Sequence, residues 1–387
     1  MLCVLGTRPE MVKMAPVVRA LDAAQDVRSV LCTTGQHREL LEQMKSLLHR
    51  SPDHELDLML PGQGLSQLTS RLISGLEPVL QQEVPDLVMV HGDTTTALSA
   101  SLAAFYQKID IGHVEAGLRT GDINAPWPEE LNRRLIGQIA LLHFAPTMRA
   151  RLALIDENIP AHHITVTGNT VIDMLYDTLD RIVGSPDLRQ ELSVRFGLSA
   201  QHKLVLATMH RRESFGSGLL GVCLALKALA KRPDIKVLVT LHPNPNVRMV
   251  LERELGGIEA INLLPPQDYE SFIYLVSSAC LILTDSGGLQ EEAAALGTTV
   301  LVLRDKTERP EAVEAGAAYL VGTEPRRILE QSHRLLDNAL PSVGFRKSPN
   351  PFGDGKAGLR ILGMIRAHYA MRPPEGGERL SEWSAPR

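Results

Sequence analysis

Residues 1–16, MLCVLGTRPEMVKMAP, and residues 203–218, KLVLATMHRRESFGSG, decide how this chain is read. Each opens on a short apolar run, Leu2–Leu5 in the first and Lys203–Thr208 in the second. Each then passes through an Arg-bearing loop into a helical stretch. A nearly continuous apolar run suits a parallel strand covered on both faces, and the following helix supplies a right-handed crossover. Working outward, the same unit recurs. In the first half the spacing predicts further strands at Val27–Thr33, Asp86–His91, Asp110–Val114, Leu141–Ala145 and Ile164–Thr167. In the second half it predicts them at Lys236–Leu241, Ala260–Leu264, Cys280–Thr284, Thr299–Leu303 and Ala318–Val321. Strands alternating with amphipathic helices from end to end make an α/β protein with parallel sheets.

Length and composition agree with this. A chain of 387 residues is expected to form about two domains, each able to bury a core. Aromatics make up only 4%, but Gly (30) and Pro (24) stand near ordinary globular levels, which excludes fibrous and disordered classes. A net charge of −5 argues against a general nucleic-acid binder, although local basic patches stay compatible with it. Cys3, Cys32, Cys223 and Cys280 are far apart and form no CxxC pair, which fits reduced thiols rather than zinc ribbons or redox motifs. No secretory leader and no apolar run near the ~20 residues of a membrane span is present, so a cytoplasmic protein is expected.

The domain boundary is expected near Gly168–Asp173, where the sixth strand ends. This divides the chain into residues 1–168, 169–355, a closing helix at 356–370 and a loose tail at 371–387, where Pro-Pro and Gly-Gly interrupt any periodicity. No repeat of 20 to 50 residues is visible, which disfavours solenoids.

In open parallel sheets, ligands bind beyond the carboxyl ends of the strands. The residues that follow each strand are therefore informative. In the first half they are Gly6-Thr7-Arg8-Pro9-Glu10, Gly92-Asp93-Thr94-Thr95-Thr96 and Glu115-Ala116-Gly117-Leu118-Arg119. In the second they are His210-Arg211-Arg212-Glu213, His242-Pro243-Asn244-Pro245, Asp285-Ser286-Gly287-Gly288 and Arg304-Asp305-Lys306. Carboxylates gather in the first half; basic and Gly/Ser groups gather in the second. Facing one another, the two edges would form a cleft with a proton-transfer wall and an anion-binding wall.

Single motifs each carry an ordinary alternative. In GTRPE, Thr7 can cap the next helix and Pro9 suits its first turn, while free amides, Arg8 and the nearby Lys13 favour a phosphate or carboxylate. Ser286, Gly287 and Gly288 at a helix start offer N–H donors to a phosphate without Cβ crowding, and Glu292 can accept from ribose hydroxyls. The alternative is a Ser-capped helix with favourable acidic residues. Asp93, Glu115 and Glu129 are candidate acid/base carboxylates, since moving a proton between faces of a weakly acidic carbon needs two such groups. For Glu129 the alternative is surface pairing, because PWPEELNRR spaces Glu129/Arg133 and Glu130/Arg134 at i,i+4. His210 beside Arg211 and Arg212 suits a diphosphate; His242 in LHPNPN is as compatible with a turn. Gly216–Gly221 matches the letters GxGxxG. It begins eight residues after the strand ends at Thr208, and the next strand ends in His242 rather than an acidic ribose ligand, so the dinucleotide reading fails.

Together GTRPEMVKMAP, TGQHREL, VHGDTTTALSASLAAFYQ, GHVEAGLRTGD, PWPEELNR, VTGNTVID, HRRESFG, ILTDSGGLQEEAAALG and RDKTERPE closely resemble the bacterial non-hydrolysing UDP-N-acetylglucosamine 2-epimerases, up to about Ala367. The resemblance implies two Rossmann-like domains of the glycosyltransferase-B type, the second binding UDP, and a homodimer that uses neither metal nor nicotinamide. It implies anti-elimination of UDP to 2-acetamidoglucal followed by readdition, on the way to cell-surface polysaccharide. By position, Asp93, Glu115 and Glu129 become the acid/base carboxylates, with base and acid unassigned. His210, Arg8, Lys13 and Arg133 support the diphosphate, and Ser286, Gly287, Gly288 and Glu292 hold phosphate and ribose. Gln36, Arg211 and His242 contribute to a second, activating substrate site. Met209 departs from the family's small residue before His210. Two neighbouring activities share most motifs: a hydrolysing epimerase releasing N-acetylmannosamine, and an epimerase of a UDP-2,3-diacetamido uronic acid.

Overall fold

Leu2–Leu5, buried along its length, is β1 of a seven-stranded parallel sheet. The computed structural model describes residues 1–35, 47–48, 50–58, 60, 62–199, 201–209, 216–242, 244–337, 347–369 and 381–385. The first sheet continues with β2 (Val30–Thr33), β3 (His54–Glu55), β4 (Leu87–His91), β5 (Asp110–Val114), β6 (Leu142–Ala145) and β7 (Ile164–Val166), in the order β3-β2-β1-β4-β5-β6-β7. The second sheet has six parallel strands: β8 (Lys203–Thr208), β9 (Ile235–Thr240), β10 (Ile261–Leu264), β11 (Leu281–Thr284), β12 (Val300–Val302) and β13 (Ala318–Leu320), ordered β10-β9-β8-β11-β12-β13. The fold class is thus the expected one, two Rossmann-like parallel sheets with helices on their faces.

Apolar runs became strands wherever burial is continuous. All five residues of β4 are buried. The second strand starts at Val30 rather than Val27 because Arg28 is exposed and burial resumes only at Val30. β3 was not expected: it is two residues long, polar, and paired only with Cys32 and Thr33 at the sheet edge. Such a strand has no apolar pattern to betray it.

The chain divides into two compact units, residues 1–174 with 352–385 and residues 175–351, and the first division falls inside the helix Thr170–Gly184. Within the first unit, the helix Ala357–His368 packs on the helix Arg8–Asp22; a Cβ on Gly358 would lie 2.8 Å from the Pro16 carbonyl oxygen. Asp173 caps that returning helix, accepting from the amides of Ala357 (3.1 Å) and Gly358 (2.9 Å). Of the segment read as a loose tail, residues 381–385 are tied to the same unit. The Trp383 amide donates to the Val166 carbonyl (2.9 Å), and the Arg360 guanidinium lies over the Trp383 ring.

All four cysteines are free and buried, and burial pushes the Cys3 and Cys32 thiols up to about 12. Among the described residues no helix is long and apolar enough to cross a membrane.

In each sheet the strand order reverses beside a central strand: between β1 and β4 in the first, and between β8 and β11 in the second. Crevices at such reversals, beyond the carboxyl ends, are the usual ligand sites of open α/β sheets. The loops leaving β1, β4 and β11 carry Gly6–Glu10, Gly92–Thr96 and Asp285–Gly288.

Candidate active site

β4 and β5 are neighbours in register, with His91 opposite Val114, and both break sharply as they leave the sheet. Gly92 takes φ +66 and its amide donates to the Val114 carbonyl (2.9 Å). Glu115 takes φ +63, a left-handed conformation that costs a non-glycine residue roughly 1–3 kcal/mol and clusters at functional sites. Gly117 then continues at φ +88 so close to the helix Met148–Asp156 that a Cβ would lie 2.2 Å from the Ala150 carbonyl oxygen. This turn holds Glu115 against the Asp93 loop.

The Glu115 carboxylate is buried, and Oε2 gathers donors from distant parts of the chain. Lys13 Nζ pairs with it, Asn169 Nδ2 donates to it (3.0 Å), and His91 Nε2 lies 3.7 Å away. Arg133 joins it to Asp93. Its Nη2 pairs with Asp93 Oδ2 and lies 3.8 Å from Glu115 Oε1, while Nη1 donates to the Glu115 carbonyl (3.0 Å). Asn132 Nδ2 donates to the Asp93 carbonyl (2.9 Å), so two successive residues of the helix Glu129–Ile139 fix the Asp93 loop.

Only one of the two expected i,i+4 pairs forms. Arg134 donates to Glu130 Oε1 through Nε (3.0 Å) and Nη2 (2.8 Å), and buried Glu130 also receives the Thr120 amide (3.1 Å). Arg133 turns to Asp93 instead, leaving half-buried Glu129 one turn earlier on the same helical face. Both X-Pro bonds before this helix, Ala125-Pro126 and Trp127-Pro128, are cis.

In GTRPE the capped turn, one of the two alternatives read from the sequence, is present. Thr7 does cap the helix Arg8–Asp22, but the amides of Gly6 and Thr7 are already taken by Glu10 Oε2, at 3.0 and 2.6 Å. The anion on this loop is the protein's own carboxylate. Glu10 Oε1 accepts a third bond from Thr94 Oγ1 (2.6 Å), and burial pushes the carboxyl above its usual range. Arg8 begins the same helix.

Three histidines missed by the sequence reading line the sheet below these carboxylates. Burial holds His91 and His143 down to about 4 and His113 well below its ordinary value, so all three are neutral near pH 7. His113 Nε2 donates to the Gly92 carbonyl (2.7 Å), bracing the turn before Asp93. Asn169 was missed as well. Its position three residues beyond β7 in VTGNTVID is the one feature that could have drawn attention to it.

In the second unit, β11 delivers fully buried Asp285 and then Ser286, the residue before the helix Gly287–Leu296. Ser286 does not cap that helix with its side chain; its amide donates instead to Thr284 Oγ1 (3.0 Å). A Cβ on Gly287 would meet Glu308 Oε1 at 2.6 Å, whereas one on Gly288 would meet nothing within 4 Å. Space is therefore left at this helix start. Glu292 Oε1 accepts from the Tyr269 hydroxyl (2.9 Å), and a buried Glu291–Arg309 pair anchors the helix beneath. Burial and the neighbouring Glu292 raise the Tyr269 hydroxyl well above its usual range.

His242 is exposed, and its Nδ1 accepts from the Asn244 amide (3.1 Å), the turn geometry that LHPNPN allows. Gln36, His210 and Arg211 lie outside the described residues. The structure thus brings Lys13, Asp93, Glu115 and Arg133 into one network in the first unit, and Ser286, Gly287, Gly288 and Glu292 onto one helix start in the second. The first set has the chemistry to move protons at carbon, and the second, by itself, to hold a phosphate.

Comparison with known proteins places this arrangement in context. The family profile described as UDP-N-acetylglucosamine 2-epimerase matches residues 19–366. The chain is 52% identical to the UDP-N-acetylglucosamine 2-epimerase of Yersinia pestis, over 95% of this chain and 98% of the relative. It is 49% identical to that of Salmonella typhimurium, over the same shares. The crystal structure of UDP-GlcNAc 2-epimerase from Neisseria meningitidis bound to UDP-GlcNAc superposes with a TM-score of 0.89 at 44% identity, covering 95% of this chain and 99% of that one.

Proposed function

This chain belongs to the UDP-N-acetylglucosamine 2-epimerase family, and on that premise we propose that it interconverts UDP-N-acetylglucosamine and UDP-N-acetylmannosamine. The observation that carries the reading is the Asp93–Arg133–Glu115 network, two carboxylates at adjacent strand ends sharing one guanidinium. In the forward direction a carboxylate takes the C2 proton, the C1–O bond breaks, and the electron pair leaves with UDP, giving 2-acetamidoglucal. In the return a second carboxylic acid protonates C2 on the other face while a diphosphate oxygen of UDP attacks C1. The sequence is redox-neutral overall, so it calls for no nicotinamide, and the proton transfers need side chains of this type and no metal.

Asp93, Glu115 and Glu129 are the groups we assign to proton transfer. Lys13 and Arg133 keep positive charge beside the carboxylates, and with Arg8 and His210 they favour departure of a diphosphate. Ser286, Gly287, Gly288 and Glu292 are assigned to phosphate and ribose. The open helix start beside Gly288 and the UDP-GlcNAc held by the Neisseria relative support that assignment. Family resemblance further supports a homodimer, an activating substrate site involving Gln36, Arg211 and His242, a cytoplasmic setting, and a product destined for cell-surface polysaccharide.

Incubation with UDP-N-acetylglucosamine in D₂O, followed by NMR, tests the reading. The expected result is deuterium at C2 and a mixture of the two UDP-sugars at equilibrium. Free N-acetylmannosamine as the main product would assign the protein to hydrolysis. Absence of exchange here, together with exchange in a UDP-2,3-diacetamido uronic acid, would move the substrate.

A further inference from the structure

We infer that Glu10 is a positioning residue for Asp93, acting through Thr94; the inference rests on the proposed epimerisation. Glu10 is 1% exposed, and among the described residues no Lys, Arg or His side chain pairs with it. Its acceptors are spent inside the fold: Oε2 on the amides of Gly6 and Thr7, Oε1 on the Thr94 hydroxyl. Thr94 Oγ1 in turn accepts the Ala97 amide (3.0 Å) and so caps the helix Thr95–Tyr106. One carboxylate therefore ties the loop leaving β1 to the loop leaving β4, and the residue it grips is the one after Asp93.

The fit between these loops is close. A Cβ on Gly6 would lie 2.2 Å from Thr96 Oγ1, so the β1 loop lies directly against the start of the helix after Asp93. Asp93 is held from the other side by Asn132 and Arg133. Removing the Glu10 carboxylate would leave a buried amide at Gly6, a half-buried amide at Thr7 and a half-buried hydroxyl at Thr94 without their acceptor, a situation the backbone relieves by moving or by admitting water. Either response shifts the Asp93 loop against Arg133. A displacement near 1 Å at a reacting group costs about 100-fold in rate.

The two amide contacts require an acceptor rather than a charge. A glutamine at this position keeps an oxygen for them, and its nitrogen can donate to the second lone pair of Thr94 Oγ1, whose proton, on a half-buried residue, then turns away, so it is expected to rescue.

The test compares Glu10→Ala, Glu10→Gln, Thr94→Val and Thr94→Ser in the C2 deuterium-exchange assay. Amide hydrogen exchange of residues 92–97 is followed by mass spectrometry alongside. Glu10→Ala is expected to lower kcat about 100-fold and Thr94→Val about 10-fold, with KM for the UDP-sugar changed less than about threefold. Glu10→Gln and Thr94→Ser should stay within about threefold of wild type in kcat, and amides 92–97 should exchange faster only in the first pair. Unchanged kcat in both Glu10→Ala and Thr94→Val would overturn the inference, as would a raised KM with kcat intact. If Glu10→Ala fails to fold, the Val and Ser variants of Thr94 decide the matter. If wild type exchanges no C2 hydrogen, the epimerase reading itself fails. The hydrogen-exchange comparison then decides alone, and unchanged protection of residues 92–97 in Thr94→Val would overturn the positioning role.

Discussion

The Arg133 guanidinium closes on the Asp93 carboxylate, forty positions away in sequence, and passes over Glu129 one turn away on its own helix. An exposed i,i+4 pair contributes only about 0.2–0.5 kcal/mol. At Asp93 the same guanidinium is nearly buried, pairs with a carboxylate and also donates to the Glu115 carbonyl (3.0 Å). Charge-assisted bonds in a partly dry setting outweigh the local pairing. The outcome leaves Glu129 without a bonded partner among the described residues, at the open end of a helix whose next turn touches Asp93.

Asp93→Asn is expected to lower the C2 exchange rate by about 10³-fold, within the usual span for losing a general acid or base. Asparagine is nearly isosteric and can still accept from Arg133, so the loop should hold its place. Affinity for UDP, measured by calorimetry, should change by less than about threefold, because the proposed nucleotide contacts lie in the other unit. Loss of UDP binding in this variant would contradict a catalytic role for Asp93.

Arg133→Lys and Arg134→Lys form a matched pair of tests. Arg133 uses two nitrogens in different directions, one toward Asp93 and one toward the Glu115 carbonyl, and a single ammonium cannot reproduce this fork. Its replacement should cost about 100-fold in exchange rate. Arg134 serves Glu130 at a position away from the carboxylate pair, and its replacement should leave the rate within about twofold. Equal effects in steady-state assays of the two variants would remove Arg133 from the site.

The strands were legible because the chemistry that marks them is local. Runs such as LVMVH and LILT are buried on both faces and look so in the sequence. His54–Glu55 escaped because an edge strand is held by backbone bonds to one neighbour and needs no apolar side chain. The candidate residues Asp93, Glu115 and Ser286 were legible as residues just beyond strand ends, where the general rule for open sheets looks for ligands. What reached them from elsewhere was not. Asn169 meets Glu115 from 54 positions away, and Thr94 meets Glu10 from 84. Glu10 shows both sides of local reading: Thr7-x-x-Glu10 is a capping-box pattern, so its hold on the Thr7 amide was legible in the sequence, whereas its bond to Thr94 on another loop was not.

Neutral, buried histidines give this protein a defined acid limit. His91 and His143 are held down to about 4 and His113 well below its ordinary value, while the unfolded chain protonates them near 6.5. Between those values the unfolded state binds more protons, so stability is complete above about pH 6.5 and falls as pH drops toward 4. Each of His91 and His143 contributes roughly 3 kcal/mol to that loss. Glu10, whose carboxyl is raised by burial, acts in the opposite sense over part of the window. Urea unfolding at pH 7 and pH 5 should therefore show a clear drop in stability at pH 5, and His143→Gln should flatten the slope by about one proton. A flat profile would mean that these imidazoles are charged in the folded state.

Gly288 separates ligand binding from folding. A Cβ there would meet no protein atom within 4 Å, and the residue lies in the first turn of the helix Gly287–Leu296, where alanine is no worse than glycine for the helix. Gly288→Ala should thus keep or slightly raise Tm. If the amides of this turn hold the UDP phosphates, the added methyl intrudes on their oxygens, and the Kd for UDP should weaken about 10-fold or more. Gly287→Ala is the less clean variant, because its Cβ would lie 2.6 Å from Glu308 Oε1 and displace that carboxylate, which pairs with Arg304. Calorimetric titration of UDP into Gly288→Ala, beside a thermal melt, reads both quantities. Unchanged affinity at unchanged Tm would move the phosphates away from this helix start.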